Sequence, residues 1–116
     1  MKTVKIILAI AGGVAAIAAC TSNTYEEVSA PVSANPTYQA DVKNIINANC
    51  VSCHSESFGQ TPYLETYDQV KNAVLSNGLL DEIAAPSGEG MPEAQRLPQS
   101  QIDAINLWAA NGFLNQ

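Results

Sequence analysis

Cys50-Val51-Ser52-Cys53-His54 is the segment on which the reading of this chain turns. Its form, C-x-x-C-H, is the attachment signature of c-type haem: two thiols add across the porphyrin vinyl groups and the adjoining imidazole binds the iron. The spacing has a mechanical basis. On a helical turn, residues three and four apart share a face, so Cys50, Cys53 and His54 can meet one haem edge and its iron together. Two other chemistries use the same residues, a redox-active cysteine pair or three ligands of a zinc site. Zinc wants a fourth ligand or a catalytic water, and the chain has no second histidine and no further cysteine pair. A thioredoxin-like pair belongs to a βαβ context, and no stretch here shows sustained strand alternation.

The second axial position follows by elimination. His54 is the sole histidine, so two histidines from one chain cannot hold the iron. Once an N-terminal leader is removed, Met91 is the remaining methionine, within Pro86-Ser87-Gly88-Glu89-Gly90-Met91-Pro92. Pro92 biases Met91 towards an extended conformation, and the glycines let the backbone turn beside a flat group. A soft thioether presented from such a loop suits iron on the face opposite His54. Lys43 and Lys71 are weaker substitutes.

The N-terminus reads as an export signal. Lys2 and Lys5 precede an uncharged run from Ile6 to Ala19. That run is too short for the roughly 20 residues a spanning helix needs, and a basic start followed by a short apolar run defines a secretory leader. Ile17-Ala18-Ala19-Cys20 resembles a bacterial lipobox, which implies cleavage before Cys20 and lipid attachment to it. Removal of residues 1–19 leaves three basic side chains against eleven acidic ones. Such a surface repels nucleic acid and anionic headgroups. It suits either simple solubility or a partner with a basic face.

Residues 20–35 are rich in Ser, Thr, Ala and Pro and read as a tether, about 20 Å long on average as a coil. Residues 36–116 form one small domain without internal repeats. The expected class is all-α. A first helix opens at Thr37 and places Val42, Ile45 and Ile46 on one face up to the haem motif. A second opens at Thr66 with Tyr67, Val70, Val74 and Leu75 inward and stops at Gly78. The last starts at Pro98 or Ser100 with Ile102, Ile105, Trp108 and Ala109 inward, capped by Asn111-Gly112, with Phe113 folding back. Leu79, Leu80 and Ile83 hint at a further short turn.

In order along the chain, CVSCH, Leu64-Glu65-Thr66-Tyr67, Met91-Pro92 and the pattern from Ile102 through Trp108 to Gly112 make residues 38–113 resemble short class I c-type cytochromes. The resemblance implies three to four helices around one covalently attached haem c, with Cys50, Cys53, His54 and Met91 as cofactor-binding residues. His54 and Met91 would be the iron ligands. It also implies a proline carbonyl holding the proximal imidazole, for which Pro62 is the nearest candidate. Trp108, Tyr63 and Tyr67 read as core and haem-packing residues, and Arg96 as a surface residue or a partner of a haem propionate. No catalytic constellation is present. The expected role is therefore non-enzymatic: a periplasmic, lipid-anchored one-electron carrier between redox proteins, as a monomer or a subunit of a redox complex. The alternatives are a ligand-binding or peroxide-reactive haem protein, and a relay subunit of a larger membrane assembly.

Overall fold

A computed structural model describes residues 31–116; the expected signal segment, Cys20 and the first part of the tether lie outside the described residues. Thr37 starts the first helix. Its backbone is extended, and its hydroxyl accepts the Ala40 N–H at 3.3 Å. In return, Asp41 Oδ2 accepts the Thr37 N–H at 2.8 Å. Side-chain oxygens here satisfy N–H groups that a helix start leaves unpaired. The helix begins as a π-helical turn, Tyr38–Val42, and continues as α1, Lys43–Asn49. α2 spans Tyr67–Ser76 and opens on a full capping box between Thr66 and Gln69. α3 spans Leu79–Ala84 and α4 spans Gln99–Ala110. Among the described residues the class is all-α, without strands.

The core follows the helical period. Tyr38, Val42 and Ile46 are buried along the first helix, Val70 and Ala73 on α2, Leu79 and Ile83 on α3, and Ile102, Ile105 and Trp108 on α4. Two inward positions differ from expectation. Leu75 is 63% exposed. The buried face of α2 runs through Val70 and Ala73, and Leu75 lies about 200° round the helix from Ala73. On α4, Ala104 is buried whereas Ala109, near the helix end, is only half-buried.

The end of α4 is a Schellman cap. Gly112 adopts φ 84°, a left-handed conformation that glycine takes without steric cost. The Phe113 N–H reaches Trp108 O at 3.0 Å and the Gly112 N–H reaches Ala109 O at 3.2 Å. The Phe113 ring then packs edge-on against Trp108 with centroids 4.9 Å apart.

Beyond this cap, residues 113–115 become a strip of acceptors for the rest of the fold. Leu114 O accepts the Trp108 indole N–H at 2.8 Å and the Tyr38 N–H at 2.8 Å. Asn115 O accepts the Gln39 N–H at 3.1 Å, and Phe113 O accepts the Tyr67 hydroxyl at 2.7 Å. The tail thus ties the π-helical turn before α1 and the start of α2 to α4. Tyr67→Phe, which removes one of these bonds, is expected to cost about 1 kcal/mol. In a domain of this size that lowers Tm by about 4–8 °C. An unchanged melting curve would show that water replaces the bond without loss.

Candidate functional site

α1 ends at Asn49, and its last turn is extended by backbone bonds that carry the cysteine motif. Cys50 N–H reaches Ile46 O at 2.8 Å, Cys53 N–H reaches Cys50 O at 3.1 Å, and His54 N–H reaches Cys50 O at 2.9 Å. These bonds hold both thiols and the imidazole around one turn. Cys50 is half-buried, Cys53 is exposed, and both are free. The chain then doubles back, with the Leu64 N–H bonded to His54 O at 2.8 Å.

That reversal brings the Pro62 carbonyl to 2.9 Å from His54 Nδ1. A carbonyl can only accept, so Nδ1 carries the proton and Nε2 keeps its lone pair for a metal. The same bond fixes the ring orientation.

Met91 is held from the other side. Its N–H donates to Glu82 O at 3.1 Å, anchoring the loop after α3 to that helix. Gly90 makes this approach feasible, because a Cβ there would overlap Glu82 O and come within 2.6 Å of Ala85 Cβ. Gly90→Ala is therefore expected to push the loop off α3 and cost about 1–3 kcal/mol. Thermal unfolding reads this, and wild-type stability would mean that the loop shifts freely.

Two adjoining clefts lie between these elements. The outer one, of about 330 Å³, is lined by Cys53, Pro92, Glu93 and Ala94 among others. The deeper one, of about 220 Å³, is walled by the apolar residues Ile46, Leu64, Leu79 and Ile83, with Thr61, Pro62, Asn77 and Glu82 completing it. Both share Cys50, His54, Gln60 and Met91. Together they match the size of a cofactor pocket. Residues far apart in sequence thus meet at one concavity: two free thiols, an imidazole with an available nitrogen, a thioether, and apolar walls. This set fits a flat apolar metal cofactor joined through thioethers, and Cys50, Cys53, His54 and Met91 are the residues that would hold it.

The competing chemistries fit less well. Among the described residues no three His, Cys, Asp or Glu side chains converge as a metal-binding group, whereas a zinc site requires such convergence. Burial, and secondarily the neighbouring Cys53, push the Cys50 thiol up to about 11. Redox-active cysteine pairs depend on the opposite shift.

Arg96 lines a groove that adjoins the outer cleft through Asn49, Pro92 and Ala94, and its guanidinium donates to Gln99 Oε1 at 3.1 Å. Trp108 and Tyr67 belong to an aromatic cluster with Tyr38 and Phe113. Neither they nor Tyr63 line the clefts. Sequence reasoning missed Gln60, Asn77 and the Glu82 carbonyl, since nothing in the local pattern marks them. No helix among the described residues is long and apolar enough to cross a membrane. Comparison with protein-family models, curated proteins and solved structures finds no match for this chain.

Proposed function

We propose that this chain is a monohaem c-type cytochrome that carries single electrons on the outer side of the cytoplasmic membrane, tethered through a lipid on Cys20. The observation that carries this reading is the His54 Nδ1–Pro62 O bond of 2.9 Å. It leaves the imidazole nitrogen needed for iron available at a cleft that also holds Cys50, Cys53 and Met91.

When bound, haem supplies the one-electron Fe(III)/Fe(II) couple. The protein's own part is mechanical and electrostatic. Cys50 and Cys53 fix one edge of the cofactor, and Pro62 O holds the imidazole in one tautomer and orientation. Met91, pinned through Glu82 O, would supply a neutral thioether to the iron, which would favour the reduced state over the charged one and raise the potential. With His54 and Met91 both given to the iron, no position on it would be left for a substrate, which suits a carrier. Ile46, Leu64, Leu79 and Ile83 would shield the cofactor from water, and the exposed Cys53 would leave it within reach of a redox partner.

A visible spectrum of protein exported through a host able to attach haem tests the reading. Low-spin c-type bands with weak far-red absorption from ferric iron bonded to sulfur are expected. A high-spin spectrum would turn the function towards ligand binding or peroxide chemistry. No haem absorption despite competent maturation would overturn the proposal.

A further inference from the structure

Phe58 is the most exposed large apolar side chain among the described residues, at 65%. A single exposed apolar residue is ordinary on a protein surface, and Leu75 on α2 is one such. Phe58 differs in how it is held. It rides on a tight turn whose base, Ser55, is buried next to His54. Ser55 O accepts both the Phe58 N–H at 3.2 Å and the Gly59 N–H at 2.8 Å, and Ser55 Oγ accepts the same Phe58 N–H at 3.4 Å. Gly59 closes the turn at φ 86°. The backbone under the ring is thus fixed before any partner arrives, which lowers the ordering cost of binding. The turn also sets Phe58 beside the clefts, since Gln60, two residues on, lines both of them.

The surroundings of this ring carry one sign of charge. From Asn44 to Val70 the chain has no lysine or arginine, but it has Glu56, Glu65 and Asp68. Glu65 Oε2 accepts the Glu56 N–H at 2.9 Å, which holds these two acidic residues together at the turn. Neither cleft is lined by a lysine or arginine, and each has an exposed glutamate on its wall, Glu93 in the outer one and Glu82 in the deeper one. The three cations of the described residues are engaged elsewhere. Lys71 Nζ lies over the Tyr67 and Phe113 rings, Lys43 Nζ donates to Gln39, and Arg96 donates to Gln99. An exposed aromatic inside an acidic surround is complementary to an apolar recess ringed by lysine and arginine.

We infer that Phe58 is the anchor, and Glu56 and Glu65 are the steering charges, of a docking face for a basic redox protein. This rests on the haem reading above, which makes the adjoining clefts the place where the electron leaves. Phe58 supplies the contact that holds the complex. The carboxylates act on the encounter from a distance and are screened by salt.

The test uses haem-loaded, reduced protein and measures second-order rates of electron transfer, across a range of salt, to two oxidants. One is a lysine-rich, net-positive c-type cytochrome in its ferric form. The other is tris(phenanthroline)cobalt(III), a cation too small to need a docking face. In each case one electron passes from the ferrous iron to the acceptor metal. Phe58→Ala is expected to slow the reaction with the basic cytochrome by about three- to tenfold and to leave the cobalt reaction unchanged. Glu56→Gln with Glu65→Gln should flatten the salt dependence and cost about tenfold in rate at low salt. Glu89→Gln with Asp103→Asn makes the same change in net charge elsewhere and should keep most of that dependence, and Leu75→Ala should react as wild type. The assignment is wrong if Phe58→Ala matches wild type, or if Leu75→Ala slows the basic cytochrome as much. It is equally wrong if both charge pairs flatten the salt dependence alike, or if Phe58→Ala slows the cobalt reaction too. A wild type that sediments as a dimer and becomes monomeric on Phe58→Ala would assign the face to a second copy of this chain and overturn the proposal. Protein without haem absorption would instead fail the functional reading itself, before any rate is measured.

Discussion

Met91→Ala is expected to lower the reduction potential by something on the order of 0.2 V, a fraction of the roughly 0.8 V that axial-ligand identity spans. In the proposed haem protein the neutral thioether would disfavour the ferric state, and its loss would leave water or a small anion on iron. The variant should also lose the far-red absorption and bind carbon monoxide when reduced at neutral pH, which the parent should resist. Because Met91 is half-buried and its backbone N–H, not its side chain, anchors the loop to Glu82 O at 3.1 Å, the fold should survive. An unchanged potential and spectrum would remove Met91 from the iron.

Haem-free chain is expected to lose most of its helical far-UV signal and its cooperative melting. The deeper cleft, about 220 Å³ and walled on one side by Ile46, Leu64, Leu79 and Ile83, would stand unfilled against the core. At about 24 cal/mol per Å³ an unfilled apolar cavity of that size costs about 5 kcal/mol, an upper figure for a cleft that water can enter. The whole stability of a domain this small is about 4–13 kcal/mol. Circular dichroism of protein made without haem attachment decides the matter. A sharp transition near that of the haem-loaded form would show that helix packing alone holds the domain, and that the cofactor is a passenger in the fold.

Much of the helical frame could be read from side chains. Thr37, Thr66, Gly78 and Asn111-Gly112 mark their boundaries because caps and left-handed stops demand particular residue types. Leu75, expected inward, turns outward because Val70, Ala73 and Val74 share the face that packs on the core and Leu75 falls off it at about 100° per residue. The site was harder. Cys50, Cys53 and His54 are adjacent in sequence, so their spacing reveals them. The groups that position them are backbone carbonyls, at Pro62 and Glu82, and every residue carries one of those. Pro62 lies only eight residues from His54, a separation that looks short until the bond from Leu64 N–H to His54 O shows the chain turning back. Gly90 reads as an ordinary loop glycine until α3 is seen against it.

The acceptor strip at residues 113–115 has a consequence in time. The π-helical turn Tyr38–Val42 that leads into α1 is synthesised early in the domain, yet its Tyr38 and Gln39 N–H groups find their partners on Leu114 and Asn115. A chain still emerging therefore lacks the groups that complete its own first helix, and closure waits for the arrival of the tail. Chains ending at Ala110 should accordingly be cut by protease throughout residues 38–66, whereas chains reaching Gln116 should resist; equal resistance would show that the tail is dispensable. During that interval Cys50 and Cys53 belong to an open chain, reachable from all sides, and the arrival of residues 113–115 decides when access to the thiols ends.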